Sequence, residues 1–316
     1  MQWRQDQRSA QTNLAGCAAF DLVTEARVSQ LELITPEEEA RFRSEGYLLL
    51  RSVLSAGEIA ALLAEVDRLC ARADQTGAVV REANYHQNSY KLGNALRLSS
   101  AFDFLIDHPK YFGKLVSLMG PYIQLMGSEI FVRGAAGEAI TGFHTDMGPG
   151  LQKVRVTEDS AFIEIKAQLF LTDLSMPDAG NFVLIPTSHR WPVTDSDPLC
   201  HIHEMNRQMG PNGELPPGTL QVLVNPGDVL LFPYSLWHAV GPNKVGRTRY
   251  SITLRYGQTA LRPVERFDAV LADRTRKLTP RQRRVLGDFG SKSPSPQRAP
   301  EQAELIYGHE FAEAGG

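Results

Sequence analysis

Residues 226–243, PGDVLLFPYSLWHAVGPN, contain the pattern that decides the fold. The pair Pro226-Gly227 is a turn signal, and the apolar run after it has the length and composition of a buried strand. Similar short runs, separated by glycine and proline, occur at 122–133 (YIQLMGSEIFVR), 161–174 (AFIEIKAQLFLTDL), 181–186 (NFVLIP) and 249–257 (RYSITLRYG). Several short strands bounded by turn signals predict a β-sandwich or a barrel.

Helical patterns lie before this strand-rich region. Thr35, Pro36 and Glu38 have the spacing of a capping box with proline at the first helical position, which predicts a short helix. Ser55 and Glu58 repeat the pattern and predict a longer helix. Helices followed by strands predict a mainly β fold with helices packed outside the barrel.

The chain divides into three predicted regions. Residues 1–30 have no strong period and are expected to form an N-terminal arm, residues 31–260 form the β-rich domain with its helices, and residues 261–316 form a helical extension and tail. Residues 274–284 (RTRKLTPRQRR) hold six basic residues. These are expected to form a solvated helix face or to contact an anionic substrate or partner.

Composition excludes several classes of protein. The 316 residues include 33 Lys and Arg against 36 Asp and Glu, giving a formal net charge of −3, which argues against nucleic acid as a partner. No apolar run approaches the ~18 residues of a membrane span, and the first residues lack a signal-peptide core. Three scattered cysteines, Cys17, Cys70 and Cys200, fit a cytoplasmic protein. The oligomeric state stays open, with a homodimer as one alternative.

A candidate metal site starts at Gly142-Phe143-His144-Thr145-Asp146. His144 and Asp146 are two residues apart, so on an extended backbone both side chains point to one face. His238 is the candidate third ligand. Two imidazoles and one carboxylate on one face of a metal leave three positions open, which suits non-haem iron(II) and oxygen chemistry. His189 is an alternative third ligand, and His201 and His203 lie in a region expected to be a loop.

The residues after His238 make the pattern more specific. Arg249 and Ser251 are two apart and are expected to share one strand face. A guanidinium can hold a carboxylate through two parallel hydrogen bonds, and a neighbouring hydroxyl adds a donor. The ordered set therefore describes a metal site beside a dicarboxylate site.

Taken together, these motifs resemble the phytanoyl-CoA dioxygenase family of iron(II)- and 2-oxoglutarate-dependent oxygenases. The resemblance runs from about residue 34 to 257 and is carried by TPEEEARFRSEGYLLLRSVLSAGEIAALLAEVDRL (35–69), GFHTDMG (142–148), LTDLSMPDAGNFVLIPTSHR (171–190) and PGDVLLFPYSLWHAVGPN (226–243). It implies a double-stranded β-helix (a cupin-like jelly roll) with iron(II) on His144, Asp146 and His238. It also implies Arg249 on the distal carboxylate of 2-oxoglutarate, with O2 as the other cosubstrate and a small molecule as substrate.

Further residues are weaker candidates for the cosubstrate site. The resemblance places Met126 and Lys91 where the family can contact 2-oxoglutarate. Strand 161–174 alternates, with Glu164, Lys166 and Gln168 on its polar face. Gln168 is expected in the pocket, whereas Lys166 is expected either there or in solvent. Two departures from the family, Thr187 in the Pro-Thr-Ser-His turn 186–189 and Asn181 after Gly180, leave the substrate undetermined.

The motif set predicts hydroxylation, or a related oxidation, of an unactivated C–H bond, with secondary metabolism as the expected setting. An aspartate at position 146 disfavours halogenation, which would leave that position free for halide. Two alternatives stay open. One is a cupin-like isomerase or ring-cleaving dioxygenase that does not use 2-oxoglutarate, which the Arg249-x-Ser251 pair disfavours. The other is a non-catalytic binding protein on the same scaffold.

Overall fold

The structure is a computed structural model that describes residues 31–76, 89–135, 139–146, 154, 157, 160–191, 208 and 214–289. The predicted arm at 1–30, the tail beyond 289, and His201 and His203 lie outside the described residues. No helix in the described ranges combines the length and the apolar character that crossing a membrane requires.

Helices occur at both ends of the described chain and strands in the middle. The helices are α1 (Pro36–Glu45), α2 (Ala56–Thr76), α3 (Ala95–Leu98), α4 (Pro109–Met119), α5 (Asp268–Ala272) and α6 (Pro280–Val285). The strands are β1 (Leu48–Leu50), β2 (Tyr90–Gly93), β3 (Ile123–Arg133), β4 (Ala139–His144), β5 (Glu164–Phe170), β6 (Phe182–Leu184), β7 (Leu220–Val222), β8 (Val229–Pro233), β9 (His238–Pro242) and β10 (Arg249–Gln258).

The strands form two antiparallel sheets. The larger sheet has the order β1-β8-β5-β10-β3-β2, and the smaller sheet has the order β4-β9-β6-β7. Consecutive strands such as β8 and β9 belong to different sheets, so the chain repeatedly crosses between them. This arrangement confirms the predicted mainly β jelly roll with flanking helices.

The two predicted N-terminal helices are confirmed with their caps. Thr35 accepts a hydrogen bond from the Glu38 amide at 3.2 Å, and Glu38 accepts one from the Thr35 amide at 3.0 Å. Helix α1 ends at Gly46, whose φ of 86° lies in the left-handed region and where a Cβ would collide with the imidazole of His189. His189 is therefore a packing residue, and its Nε2 lies 3.0 Å from the Arg43 carbonyl oxygen.

Strand β5 shows how the larger sheet divides its two faces. All seven of its residues are buried, although they alternate between polar and apolar side chains. Ile165, Ala167 and Leu169 belong to the main apolar cluster, which also contains side chains of α2 and α4. The opposite face carries Lys166 and Gln168 and therefore points between the two sheets.

Residues after 260 pack onto this core. Phe267, Val270, Val285 and Leu286 belong to the main apolar cluster. The Glu265 carboxylate accepts hydrogen bonds from the amides of Asn94 at 2.8 Å and Ser128 at 2.9 Å.

The basic run 274–284 is largely engaged by the domain. Arg276 is 6% exposed at its side chain and lies 2.6 Å from Asp103, and Arg281 pairs with Asp107 at 3.7 Å. Arg284 is also buried. The expectation of a solvated helix face is wrong for these three arginines, because all three are largely buried and the first two pair with carboxylates of the domain.

The turn before β8 joins three parts of the fold. Gly227 has a φ of 89°, and a Cβ there would lie 2.7 Å from the Leu54 carbonyl oxygen. The neighbouring Asp228 is 1% exposed. Its carboxylate accepts hydrogen bonds from the Ser52 amide at 2.9 Å, the Asn225 amide at 2.8 Å and the Arg51 guanidinium at 2.7 Å. The turn therefore fixes the connection between β1 and α2.

We expect Asp228→Asn to lower the free energy of unfolding by about 2–3 kcal/mol, because an amide cannot accept from all three donors and leaves a buried N–H facing another N–H. Urea unfolding measures the change. The matched control is Asp268→Asn, whose carboxylate is 72% exposed and whose loss is expected to change stability by less than about 0.5 kcal/mol. Equal stability of the two variants would contradict this account of the turn.

Candidate metal centre

The pairing of β4 with β9 brings the H-x-D motif to the distal histidine. In the register, Thr141 lies opposite Val240 and His144 lies opposite His238. Between these two pairs β4 advances by three residues and β9 by only two, so β4 has a bulge at Gly142 and Phe143. A bulge re-aims the side chains that follow it. The two histidines thus lie side by side, with ring centroids 4.5 Å apart.

Asp146 completes a compact group of three candidate ligands. Its amide donates to the Tyr234 carbonyl oxygen at 3.0 Å, which holds the residue beside the end of β8. Its Oδ2 lies 3.4 Å from Nε2 of His238. One ligand atom from each of His144, Asp146 and His238 lies within 4.8 Å of the others. The predicted triad is therefore assembled.

Backbone carbonyl groups orient both imidazoles. Nδ1 of His144 lies 2.8 Å from the Gly142 oxygen, and Nδ1 of His238 lies 2.9 Å from the Leu236 oxygen. A proton on each Nδ1 satisfies these contacts and leaves each Nε2 with a free lone pair. In metal proteins, histidine ligands are oriented in the same way, by a hydrogen bond from the ring nitrogen that does not bind the metal to a carbonyl oxygen.

Aromatic packing fixes the His238 ring and keeps it neutral. Phe182 stacks on the imidazole at 4.9 Å and 9°, and Phe232 meets its edge at 5.2 Å and 62°. Burial among these groups lowers the pKa of His238 to about 4, against the opposing attraction of Asp146. At neutral pH the ring is therefore uncharged, which is the form that binds a metal.

Asp146 is kept ionised by its neighbours. Burial alone would raise the pKa of this carboxyl, but the Lys166 ammonium and the two imidazoles hold the pKa well below its ordinary value. Nζ of Lys166 lies 2.7 Å from Oδ2 of Asp146, although the direction of this contact is not that of a good hydrogen bond. Oδ2 is therefore a buried anionic oxygen in an ion pair.

The triad opens onto a cavity of about 190 Å³ between the sheets. Arg249, Gln168, Lys166 and Lys91 are among its lining side chains, as the sequence suggested for a ligand pocket. The remaining lining residues are Glu129, Phe131, Arg133, His144, Asp146, Phe182, Phe232, His238, Val240 and Thr253. The cavity is smaller than the about 300–1,000 Å³ of sites for drug-sized ligands, so it suits a ligand of few atoms.

Arg249 is held in the cavity wall. The residue is 2% exposed, its guanidinium donates to the Gly180 oxygen at 2.8 Å, and it lies 5.7 Å from the centre of the Phe170 ring. Ser251 is fully buried and accepts from the Gln168 amide at 3.4 Å. Ser251 therefore supports Gln168, and the cavity lining among the described residues does not include it.

The other cosubstrate candidates occupy different places. Lys91 lines the cavity from β2 and pairs with Glu129 at 3.3 Å. The side chain of Lys166 is 7% exposed and lines the cavity. The prediction that it lies in the pocket is therefore correct, and the alternative that it lies in solvent is wrong. Met126 is buried against Gln124 and Gly257, and the structure does not bring it to the cavity. The β3 residues that line the cavity are Glu129, Phe131 and Arg133, and Met126 lies further back along the strand, where the register against β10 skips it.

Several lining residues were missed by the sequence analysis. Glu129, Phe131 and Arg133 alternate along β3, and Thr253 continues the inward face of β10 that begins at Arg249. Residues spaced by two along a strand share one face, so this spacing indicated that the side chains of each set point the same way. The sequence did not show that β3 lies next to β10, so the signal could not be assigned to the cavity.

Comparison with known proteins places the chain in a family. The sequence model for phytanoyl-CoA dioxygenase (PhyH) matches residues 42–251. No curated protein matches significantly in sequence.

Solved structures share the fold at low sequence identity. HygX from Streptomyces hygroscopicus with nickel and 2-oxoglutarate bound has a TM-score of 0.58 and 18% identity, covering 73% of this chain and 90% of its own. The carbocyclase SnoK and the epimerase SnoN, both non-haem α-ketoglutarate-dependent enzymes of nogalamycin biosynthesis, have TM-scores of 0.55 and 0.53 and identities of 20% and 22%. SnoK covers 75% of this chain and 90% of its own, and SnoN covers 70% and 81%. With a family match over most of its length and this jelly roll, the chain belongs to the phytanoyl-CoA dioxygenase family.

Proposed function

We propose that this protein is an iron(II)- and 2-oxoglutarate-dependent oxygenase that hydroxylates an unactivated C–H bond of a small molecule. The observation that carries the proposal is the meeting of His144, Asp146, His238 and Arg249 at one cavity. The His144–Asp146 pair, His238 and Arg249 lie apart in the chain, at the end of β4, in β9 and in β10. The pairing of β4 with β9 and the packing of the two sheets bring them together. Family membership and the α-ketoglutarate-dependent enzymes among the similar structures support the same function.

The chemistry of the three donors fits iron(II). Two imidazoles and one hard carboxylate leave open positions on an octahedral metal, as the two-histidine, one-carboxylate site of non-haem iron oxygenases requires. Iron(II) bound there would activate dioxygen, the oxidant, for attack on a C–H bond, with 2-oxoglutarate as the co-reductant. The chain itself supplies the ligands, their orientation through the Gly142 and Leu236 carbonyl groups, and a wall of Phe182, Phe232 and Val240 that limits access of water.

Arg249 is the proposed anchor for the distal carboxylate of 2-oxoglutarate. Its guanidinium is buried and fixed by Gly180, so it can hold a carboxylate without losing much side-chain freedom. Gln168, Thr253 and Lys91 offer further polar contacts from neighbouring strands. HygX with 2-oxoglutarate bound shares the fold, which supports a cosubstrate of this size in the small cavity.

The substrate is proposed to be a small molecule of secondary metabolism. HygX has been solved with hygromycin B and SnoN with nogalamycin RO, so proteins of this fold accept such compounds. A ligand of the size of the cosubstrate would fill the cavity between the sheets. The substrate is therefore expected to approach the triad from the mouth of the cavity. We further expect the protein in the cytoplasm, in keeping with its scattered cysteines.

Hydroxylation can be separated from the other outcomes known among similar structures by the fate of labelled dioxygen. A library of small molecules is incubated with iron(II), ascorbate, 2-oxoglutarate and ¹⁸O2, and succinate release identifies the substrates. A hydroxylated product gains one labelled oxygen atom. A product of unchanged mass indicates epimerisation, and one that has lost two hydrogens indicates ring closure or desaturation; either would overturn hydroxylation while keeping the cofactors.

We expect His144→Ala to abolish metal binding and succinate release, because the loss of one of three protein ligands leaves too few donors. After anaerobic loading, metal analysis should give about one iron per wild-type chain and about none per variant. The control is Thr145→Ala, which alters the residue between two ligands without removing a donor. Wild-type iron content in His144→Ala would rule out the proposed centre.

We expect Arg249→Lys to weaken 2-oxoglutarate binding about 10–100-fold, because an ammonium replaces a two-pronged contact with a single one. Iron affinity should not change, since Arg249 is not a ligand. Anaerobic calorimetric titration of the iron-loaded protein measures both constants. Arg247→Lys, an exposed arginine two residues earlier on the chain, is the control. Unchanged 2-oxoglutarate affinity would instead favour the cupin-like enzyme that does not use this cosubstrate.

A further inference from the structure

A buried lysine lies on the carboxylate of the candidate metal site. Lys166 projects from the middle of β5, is 7% exposed at its side chain, and places Nζ 2.7 Å from Oδ2 of Asp146. The nearby Glu164 is already engaged by Arg255, at 2.8 and 3.1 Å. Asp146 is therefore the acidic group that the Lys166 ammonium neutralises among these neighbours.

The ammonium contacts the oxygen that a metal would use. Oδ2 of Asp146 lies 3.4 Å from Nε2 of His238, so this oxygen faces the other ligands. A divalent ion bound to both atoms would stand within a few ångströms of Nζ, and two cations at that distance in a buried site repel strongly. The ion pair seen here and a metal on Oδ2 are thus in competition.

We propose that Lys166 is an internal counter-ion: it holds the triad together before the metal enters, and it lowers the affinity of the triad for metal. The proposal rests on the metal centre proposed above. Without Lys166, the buried Oδ2 of Asp146 would lose the cation that lies 2.7 Å from it, which is unfavourable for an anion. With Lys166, the empty site is stable, and the entering metal must displace the ammonium from Oδ2.

This role has the opposite sign from that of an ordinary supporting residue. A group that only orients a metal ligand lowers metal affinity about 10–100-fold when it is removed. A competing counter-ion raises the affinity when it is removed, because the metal then meets a carboxylate that has lost its nearest cation. The direction of the change therefore separates the two roles without any measurement of turnover.

The experiment compares iron(II) affinity in wild type, Lys166→Met and Lys166→Arg by anaerobic calorimetry, without 2-oxoglutarate. Methionine keeps much of the length and apolar stem of lysine but removes the charge, and arginine keeps the charge. Lys166→Met is expected to bind iron(II) about tenfold more tightly or better than wild type, and Lys166→Arg is not. The matched control is Lys244→Met, which removes a lysine that pairs with a different carboxylate, Asp178, away from the cavity lining.

Thermal unfolding of the metal-free proteins provides the second readout. Lys166→Met is expected to melt below wild type and to gain more from added iron(II) than wild type gains. Adding Asp146→Asn to Lys166→Met should restore the melting temperature, because the buried anion is gone, while abolishing the response to metal. If Lys166→Met does not fold, Lys166→Gln replaces it in both measurements.

Two outcomes are distinguishable failures. Equal or weaker iron binding by Lys166→Met than by a wild type that does bind iron would overturn the counter-ion role and leave the proposed function intact. Absence of iron binding by wild type would overturn the metal centre itself, and the counter-ion role with it.

Discussion

The register between β4 and β9 is the constraint on which the site depends. It places His144 directly opposite His238, and the bulge at Gly142 and Phe143 sets which way the residues after it point. A slip of one residue would move one imidazole to the other face of its strand. The hydrogen bond from the Asp146 amide to the Tyr234 carbonyl oxygen then ties the motif to the larger sheet. Both sheets must therefore be correctly packed before the three metal ligands meet.

Strand β5 shows how one element serves both stability and chemistry. Its apolar face lies in the main cluster, while its other face carries Lys166 and Gln168 into the cavity. Buried polar groups are unfavourable unless they are paired, and here each has a partner: Asp146 for the lysine and Ser251 for the glutamine. The space between the sheets therefore holds both these polar groups and a second apolar cluster that includes Phe182, Leu230 and Phe232. The main apolar cluster lies on the other face of the larger sheet, with the helices.

Much of the fold and the ligand set could be predicted because their signals are local. Capping boxes, turn residues and the H-x-D spacing each act over a few residues. The ordered set of His238, Arg249 and Ser251 after the H-x-D motif completed the predicted site, and the family resemblance supported it. What could not be predicted depends on which strands are neighbours. The inward face of β3 became assignable only once its pairing with β10 was known, and the register irregularity at Met126 is not visible in the sequence. Thr187 shows the same limit. Its φ of 68° is unusual for a β-branched residue, and the sequence gives no local reason for it.

The pairing of β1 with β8 has a consequence for how the protein is made. Leu48 meets Leu231, so the first strand to leave the ribosome waits for one of the last to be synthesised. The side chains of α5 and α6 that complete the main cluster emerge later still. A nascent chain therefore carries exposed apolar segments until β8, β9 and β10 have been synthesised, and its jelly roll can close only after that. We therefore expect a protein of this topology to fold slowly and to need chaperones during synthesis.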